Sequence, residues 1–147
     1  MKPKRILVAI NSLSDHDHLF TRALGIALTA GAELHVLYVV PSTQRFSYRA
    51  AERLERMAAL RARGEAAGVP VQTAEQHGDP AALIAVHANA RLAHLIVIGA
   101  APPRGWWQRQ SVTERVSRRT GVPMLVVTTD HRQVDASLLP SPLPAVA

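Results

Sequence analysis

Apolar residues recur along this chain in two rhythms. Arg5-Ile-Leu-Val-Ala-Ile10 is a continuous β-rich apolar run, the pattern of a strand buried on both faces in a parallel sheet. Asn11 to Ser14 has turn chemistry. From Asp15 to Ala30 the apolar positions take helical spacing: Leu19, Ala23, Ile26 and Ala27, Ala30. Ser12 or Ser14 caps that helix, Asp15 and Asp17 complement its positive dipole end, and Gly31 stops it. Leu34 to Val40 reads as a second buried strand, ended by Pro41. Thr43 to Ala67 reads as a long helix whose apolar face holds Phe46, Ala50, Leu54, Met57 and Leu60. Its other face carries Arg45, Arg49, Arg53, Arg56 and Arg63. That stripe is read as a solvated face, supported by pairs such as Glu52 with Arg56, in preference to an anion-binding surface.

Val71 to Glu75 reads as a third, weaker strand. Asp79 caps the next helix and Pro80 takes its first position. Leu83, Ile84, Val86, His87 and Ala88 make this helix apolar nearly all round, so it is expected to be well buried, with His87 a packed or rim histidine. Leu95 to Gly99 is the fourth strand, Ala100 to Gln110 an irregular loop, and Ser111 to Thr120 a helix stopped by Gly121. Pro123 to Thr128 is the fifth strand. Strands alternating with helices predict an α/β fold: a parallel sheet covered by helices on both faces, a three-layer sandwich with right-handed crossovers. Residues 1–129 form one domain. Residues 130–147 contain Pro140, Pro142 and Pro144 and no capped helix, and are expected to form a mobile tail or an arm resting on a partner.

Composition narrows the classes. A chain of 147 residues suits one domain. Without cysteine there is no disulfide, no thiolate metal site and no thiol chemistry. No apolar stretch approaches the ~18 residues of a spanning helix. The run Ile6 to Ile10 after the basic N-terminus is too short for a signal peptide, so a cytoplasmic protein is expected. The net charge is +6, but the basic residues are scattered, and all except Lys2 and Lys4 are arginine. A basic balance of that kind does not favour nucleic acid as a partner.

In an open α/β sheet a ligand sits beyond the carboxyl ends of the strands, where the winding reverses. The loops there are Asn11 to Ser14, Val40 to Ser42, His77 to Pro80 and Gly99 to Ser111. Ser111-Val-Thr-Glu114 is a capping box, and a glycine before a helix start is a way to cradle phosphate. Catalytic candidates are few. His16 and His18, two apart at a helix start, face different ways and do not share a metal. His77 and Asp79 flank Gly78 as a conceivable acid–base pair, although the cap explains Asp79 better. No Ser/His/Asp set assembles from its sequence context, so no catalytic residue, no metal and no enzyme activity is expected.

The chain resembles the universal stress protein family. The resemblance rests on Ile6-Leu-Val-Ala-Ile10, His35-Val-Leu-Tyr-Val-Val-Pro41, Gly78-Asp-Pro80, Ala93-His-Leu-Ile-Val-Ile-Gly99, Ser111-Val-Thr-Glu-Arg-Val116 and Gly121-Val-Pro-Met-Leu-Val-Val127, in order over residues 3–128. It implies a Rossmann-like, adenine nucleotide alpha hydrolase-like sheet of strand order 3-2-1-4-5, and a homodimer pairing the fifth strands at Met124 to Thr128.

Many members bind ATP through Gly-x2-Gly-x9-Gly-Ser/Thr. Here Gly99 matches the first glycine, Pro102 replaces the second and Gln110 the third, and Ser111 follows Gly99 by twelve residues where the motif needs fourteen. The adenine-contacting aspartate of the family is Asn11. In these respects the chain is similar to the branch named for universal stress protein A, whose members lack the ATP motif. The residual nucleotide site implied by the resemblance comprises Ala9, Ile10, Asn11, Val39, Val40, Gly99, Arg104, Gly105, Gln110, Ser111 and Val112. No cofactor is expected, with ATP or AMP as the alternative. Trp106 and Trp107 are read as a packing plug or partner contact rather than a base-stacking platform. Arg104 and Arg109 either replace lost backbone donors by charge or are ordinary surface residues. The expected role is a non-catalytic stress-response or regulatory homodimer with an unknown protein partner. The alternative is an adenine-nucleotide binding module, at most a slow ATPase.

Overall fold

The computed structural model describes residues 4–10, 16–40, 50–99 and 112–127. The strands are β1 (Lys4–Ile10), β2 (Ala32–Val40), β3 (Val71–His77), β4 (Leu95–Gly99) and β5 (Met124–Val127). Between them lie α1 (His16–Ala30), α2 (Ala50–Ala66), α3 (Pro80–Ala90) and α4 (Val112–Ser117). All strand pairs are parallel, in the order β3-β2-β1-β4-β5. This is the expected α/β architecture. β3 runs two residues beyond its predicted end, because Glu75 to His77 continue the ladder against Tyr38 to Val40. Residues 43–49 of the second predicted helix lie outside the described residues, as does the segment after Val127.

Alternation along β1 and β2 divides the interior into two cores. Ile6, Val8, Ile10, Leu34, Val36, Tyr38 and Val40 join Leu19, Phe20 and Ala23 of α1 and Met57 and Leu60 of α2. Leu7, Ala9, Leu37 and Val39 face the other way, against Ala81, Ile84 and Ala88 of α3 and Val116 of α4. Gly64 lets α2 close on β3, since a Cβ there would fall on Val71 Cγ2.

Two helix faces differ from the sequence reading. On α2 the buried positions are Arg53, Met57, Leu60 and Gly64, while Leu54 is 67% exposed. The stripe that meets the sheet therefore keeps Met57 and Leu60 of the predicted face but holds Arg53 where Leu54 was expected. The solvated reading holds for Arg56, which pairs with Glu52 at 3.9 Å, and Arg63 donates to Thr21 Oγ1 at 2.9 Å. On α3, Val86 is 62% exposed although its neighbours Ala85 and Ile84 are buried. The helix lies on the sheet with one face only, so its apolar sequence does not make it buried all round.

The helix ends are chemically plain. Asp79 caps α3, accepting from the backbone N–H of Ala82 at 3.0 Å, with Pro80 in the first turn. Gly31 ends α1 with φ +66°. α4 is shorter than predicted: it stops at Ser117, and Thr120 Oγ1 donates to Asn89 Oδ1 at 2.8 Å, tying the turn after α4 to α3. α3 ends in a turn that places Leu92 at φ 54°, with its side chain 69% exposed. A left-handed conformation costs a leucine roughly 1–2 kcal/mol, and the added chain entropy of glycine recovers only part of that. Leu92→Gly is therefore expected to raise stability by about 0.5–1 kcal/mol in urea unfolding.

Candidate functional site

The order β3-β2-β1-β4-β5 puts the reversal of winding between β1 and β4. The carboxyl edge there is formed by Ile10 and Gly99, flanked by Val40 of β2 and the N-terminus of α4 at Val112. Of the residues assigned to a nucleotide site, Ala9, Ile10, Val39, Val40, Gly99 and Val112 come together at this edge. Asn11, Arg104, Gly105, Gln110 and Ser111 lie outside the described residues, and so do Trp106, Trp107 and Arg109.

Those that are described offer a ligand little side-chain chemistry. Ala9, Ile10, Val39 and Val40 are each at most 4% exposed, with side chains committed to the two cores. The Val40 carbonyl already accepts from Gly78 N–H at 3.0 Å. That bond closes the turn after β3, where Gly78 holds φ +146°, a backbone suited to glycine. Gly99 lies under Leu19 of α1, which would touch an added Cβ at 3.4 Å. Any polar grip on a ligand must come from the connecting segments.

The carboxyl edge also carries a polar cluster that the sequence reading placed wrongly. Arg53 is 5% exposed; its Nε and Nη2 donate to Glu75 Oε1 and Oε2 at 2.9 and 3.0 Å, and its guanidinium lies 5.6 Å from the centre of the Tyr38 ring. His77 Nε2 is 2.9 Å from Glu75 Oε2. The bond to Arg53 holds the Glu75 carboxyl below its ordinary range, against the effect of burial, and Glu75 in turn raises Arg53. The signal was present: Arg53 sits four residues before Met57, in step with Leu60 and Gly64, and a carboxylate stands on the facing strand. The conceivable His77–Asp79 pair is not made. His77 turns to Glu75, and Asp79 Oδ1 accepts from Arg115 Nη2 of α4 at 2.7 Å, which keeps the Asp79 carboxyl low. Among the described residues no three His, Asp or Glu side chains converge as a metal site requires, and no helix is long and apolar enough to cross a membrane.

Comparison with known proteins places this geometry. The model of the universal stress protein family matches residues 2–128. The chain belongs to the universal stress protein family. Solved universal stress proteins share its fold. The universal stress protein UspA from Lactobacillus plantarum is 22% identical, with a TM-score of 0.69, covering 86% of this chain and 99% of that one. A family member from Burkholderia pseudomallei is 28% identical, with a TM-score of 0.65, over 84% of this chain and 95% of that one. A universal stress protein from Archaeoglobus fulgidus, solved in complex with dAMP, is 18% identical with a TM-score of 0.65, over 86% and 99%. No curated protein sequence matches the chain.

The Arg53–Glu75 pair makes an acid-dependent prediction. Because folding lowers the Glu75 pKa, the pair's contribution is present above the unfolded carboxylate value and is lost as pH falls through the lower folded value. Arg53→Met leaves Glu75 with only His77 and is expected to cost about 1–3 kcal/mol near pH 7. Urea unfolding of both proteins at neutral pH and near pH 3 checks this: the gap should shrink in acid, and an equal gap at both would refute it.

Proposed function

We propose that this universal stress protein is a non-catalytic, cytoplasmic, homodimeric stress-response or regulatory protein whose nucleotide site is too short to wrap a triphosphate. The observation that carries this reading is the connection from Gly99 to Ser111. It is twelve residues where the family's ATP motif has fourteen, with Pro102 and Gln110 in place of two glycines. Two missing residues remove about 7 Å of chain reach. Proline removes a main-chain N–H, and its fixed φ prevents the tight approach that a glycine permits. The described edge supports the reading, because the side chains of Ala9, Ile10, Val39 and Val40 are turned into the cores and the Val40 carbonyl is taken. The loss of phosphate donors is not made good there.

A second reading has one observation in its favour: the Archaeoglobus fulgidus relative was solved with dAMP, a nucleotide with a single phosphate. A short loop bearing Arg104 and Arg109 suits such a ligand better than ATP. Calorimetry with ATP and AMP separates the readings. No heat from ATP up to about 1 mM is expected, a weaker interaction than about −4 kcal/mol. Micromolar ATP binding refutes the eroded site; binding of AMP alone establishes the second reading; and phosphate release above buffer revives a slow ATPase.

The dimer is proposed to form along β5. β5 is an edge strand, hydrogen-bonded within the chain only to β4 among the described strands. Leu125 and Val127 pack toward the core beneath, whereas Val126 is 42% exposed. An apolar edge of this kind favours pairing with a second copy. Val126→Asp tests the interface without cutting into the core. Light scattering should show dimers for the unchanged protein and a shift toward monomer for the variant, and monomers in both at micromolar concentration would contradict the proposal.

A further inference from the structure

Away from the carboxyl edge, on the sheet face covered by α3, a small cavity of about 30 Å³ opens between His35 of β2, Gln72 of β3, His87 of α3 and Arg91 just past the end of α3, floored by Leu7 and Leu37. His87 lies in the last turn of α3 and Arg91 is the residue that caps its end, where Arg91 Nη1 donates to Gln72 Oε1 across the cavity mouth at 3.4 Å. His35 is 8% exposed. A nucleotide or metabolite needs several hundred Å³, whereas one water needs about 10–15 Å³, so a small ion or a water or two is what this space admits.

Charge decides which. No carboxylate lines the cavity. The carboxylate bonded to His35, Glu33, is already shared: its Oε2 is 3.1 Å from His35 Nε2 and accepts from Arg5 Nε at 3.1 Å. Arg5 also donates from Nη1 to the Arg91 carbonyl at 2.8 Å, and its N–H is received by His94 Nδ1 at 3.0 Å. The charged and titratable groups at His87 are thus His35 on β2 and Arg91 at the end of its helix, with Glu33 and Arg5 bonded to these two in turn and His94 to Arg5. The balance at the cavity is cationic. Glu33 is held low by His35 and Arg5, so its negative charge is committed to those two groups.

We propose that this cavity is a binding site for a small monovalent inorganic anion, of the size of chloride or nitrate, held between His35, His87 and Arg91. The site is independent of the nucleotide reading, since Leu7 stands three residues before the end of β1. Binding is linked to protons. Burial first, and then the charges of Arg91 and His35, keep His87 below the ordinary histidine value. An anion beside the ring offsets that cost, so the complex takes up a proton and tightens as pH falls. By reciprocity the anion must raise the His87 titration midpoint.

The test is a proton NMR titration of the histidine rings in sodium nitrate and in sodium gluconate at equal ionic strength, the gluconate ion being too large for the cavity. Nitrate is expected to move the His87 midpoint upward by about half a pH unit or more, a threefold change in proton affinity, and to do so saturably. Arg91→Gln, a substitution at an exposed position, should shrink the shift, and the dispersion of the remaining signals confirms the fold. An identical midpoint in the two salts, or a shift that Arg91→Gln leaves at full size, would overturn the proposal.

Discussion

Ile6, Val8 and Ile10 point to one side of β1 and Leu7 and Ala9 to the other, and each side is roofed by helices. A parallel sheet leaves no face for water, because every return path is a crossover that must lie on the sheet. That constraint makes β1 from Ile6 to Ile10 and β4 from Leu95 to Ile98 apolar without interruption and sends most polar chemistry toward the strand ends, His35 of β2 being a buried exception. It also explains why the reversal point between β1 and β4, where ligands bind in such folds, presents buried aliphatic side chains and little else among the described residues. The scaffold supplies a place, and recognition must be supplied by the connections.

Where a charge does enter the interior it is held on several sides. Arg53 occupies a position that Met57 and Leu60 would lead one to expect an apolar residue to fill. Its long aliphatic stem covers the core while its planar head meets both oxygens of Glu75 and lies over Tyr38. Leu54, turned outward in exchange, is left exposed. The same arrangement recurs in smaller form at Asp79, which caps α3 and receives Arg115 from α4, so that one carboxylate fastens two helices that both begin at the carboxyl edge.

The two ends of the sheet therefore differ in character. The carboxyl end holds carboxylates already matched to arginines. Farther toward the amino end, Glu33 is shared between Arg5 and His35, and Arg5 in turn reaches His94 and the Arg91 carbonyl. The basic residues are dispersed in sequence, and it is folding that brings Arg91 beside His35 and His87 at one small cavity.

Much of the architecture was legible from local pattern. Five apolar runs with helical periods between them predict the parallel α/β sheet, and Gly31, Asp79 and Pro80 mark element ends because caps and stops act through backbone conformation within a few residues. The strand order followed from family resemblance and is the one observed. What local pattern missed was orientation. Arg53 and Glu75 are twenty-two residues apart, and the roles of Arg53, Leu54 and Val86 depend on the rotation at which α2 and α3 settle against the sheet. A one-residue rotation of a helix face changes which side chain is inside, and only the packing of the whole sheet selects it. Periodicity resides in the chain, whereas the meeting of distant side chains is set by the three-dimensional contact of elements that no short stretch of sequence encodes.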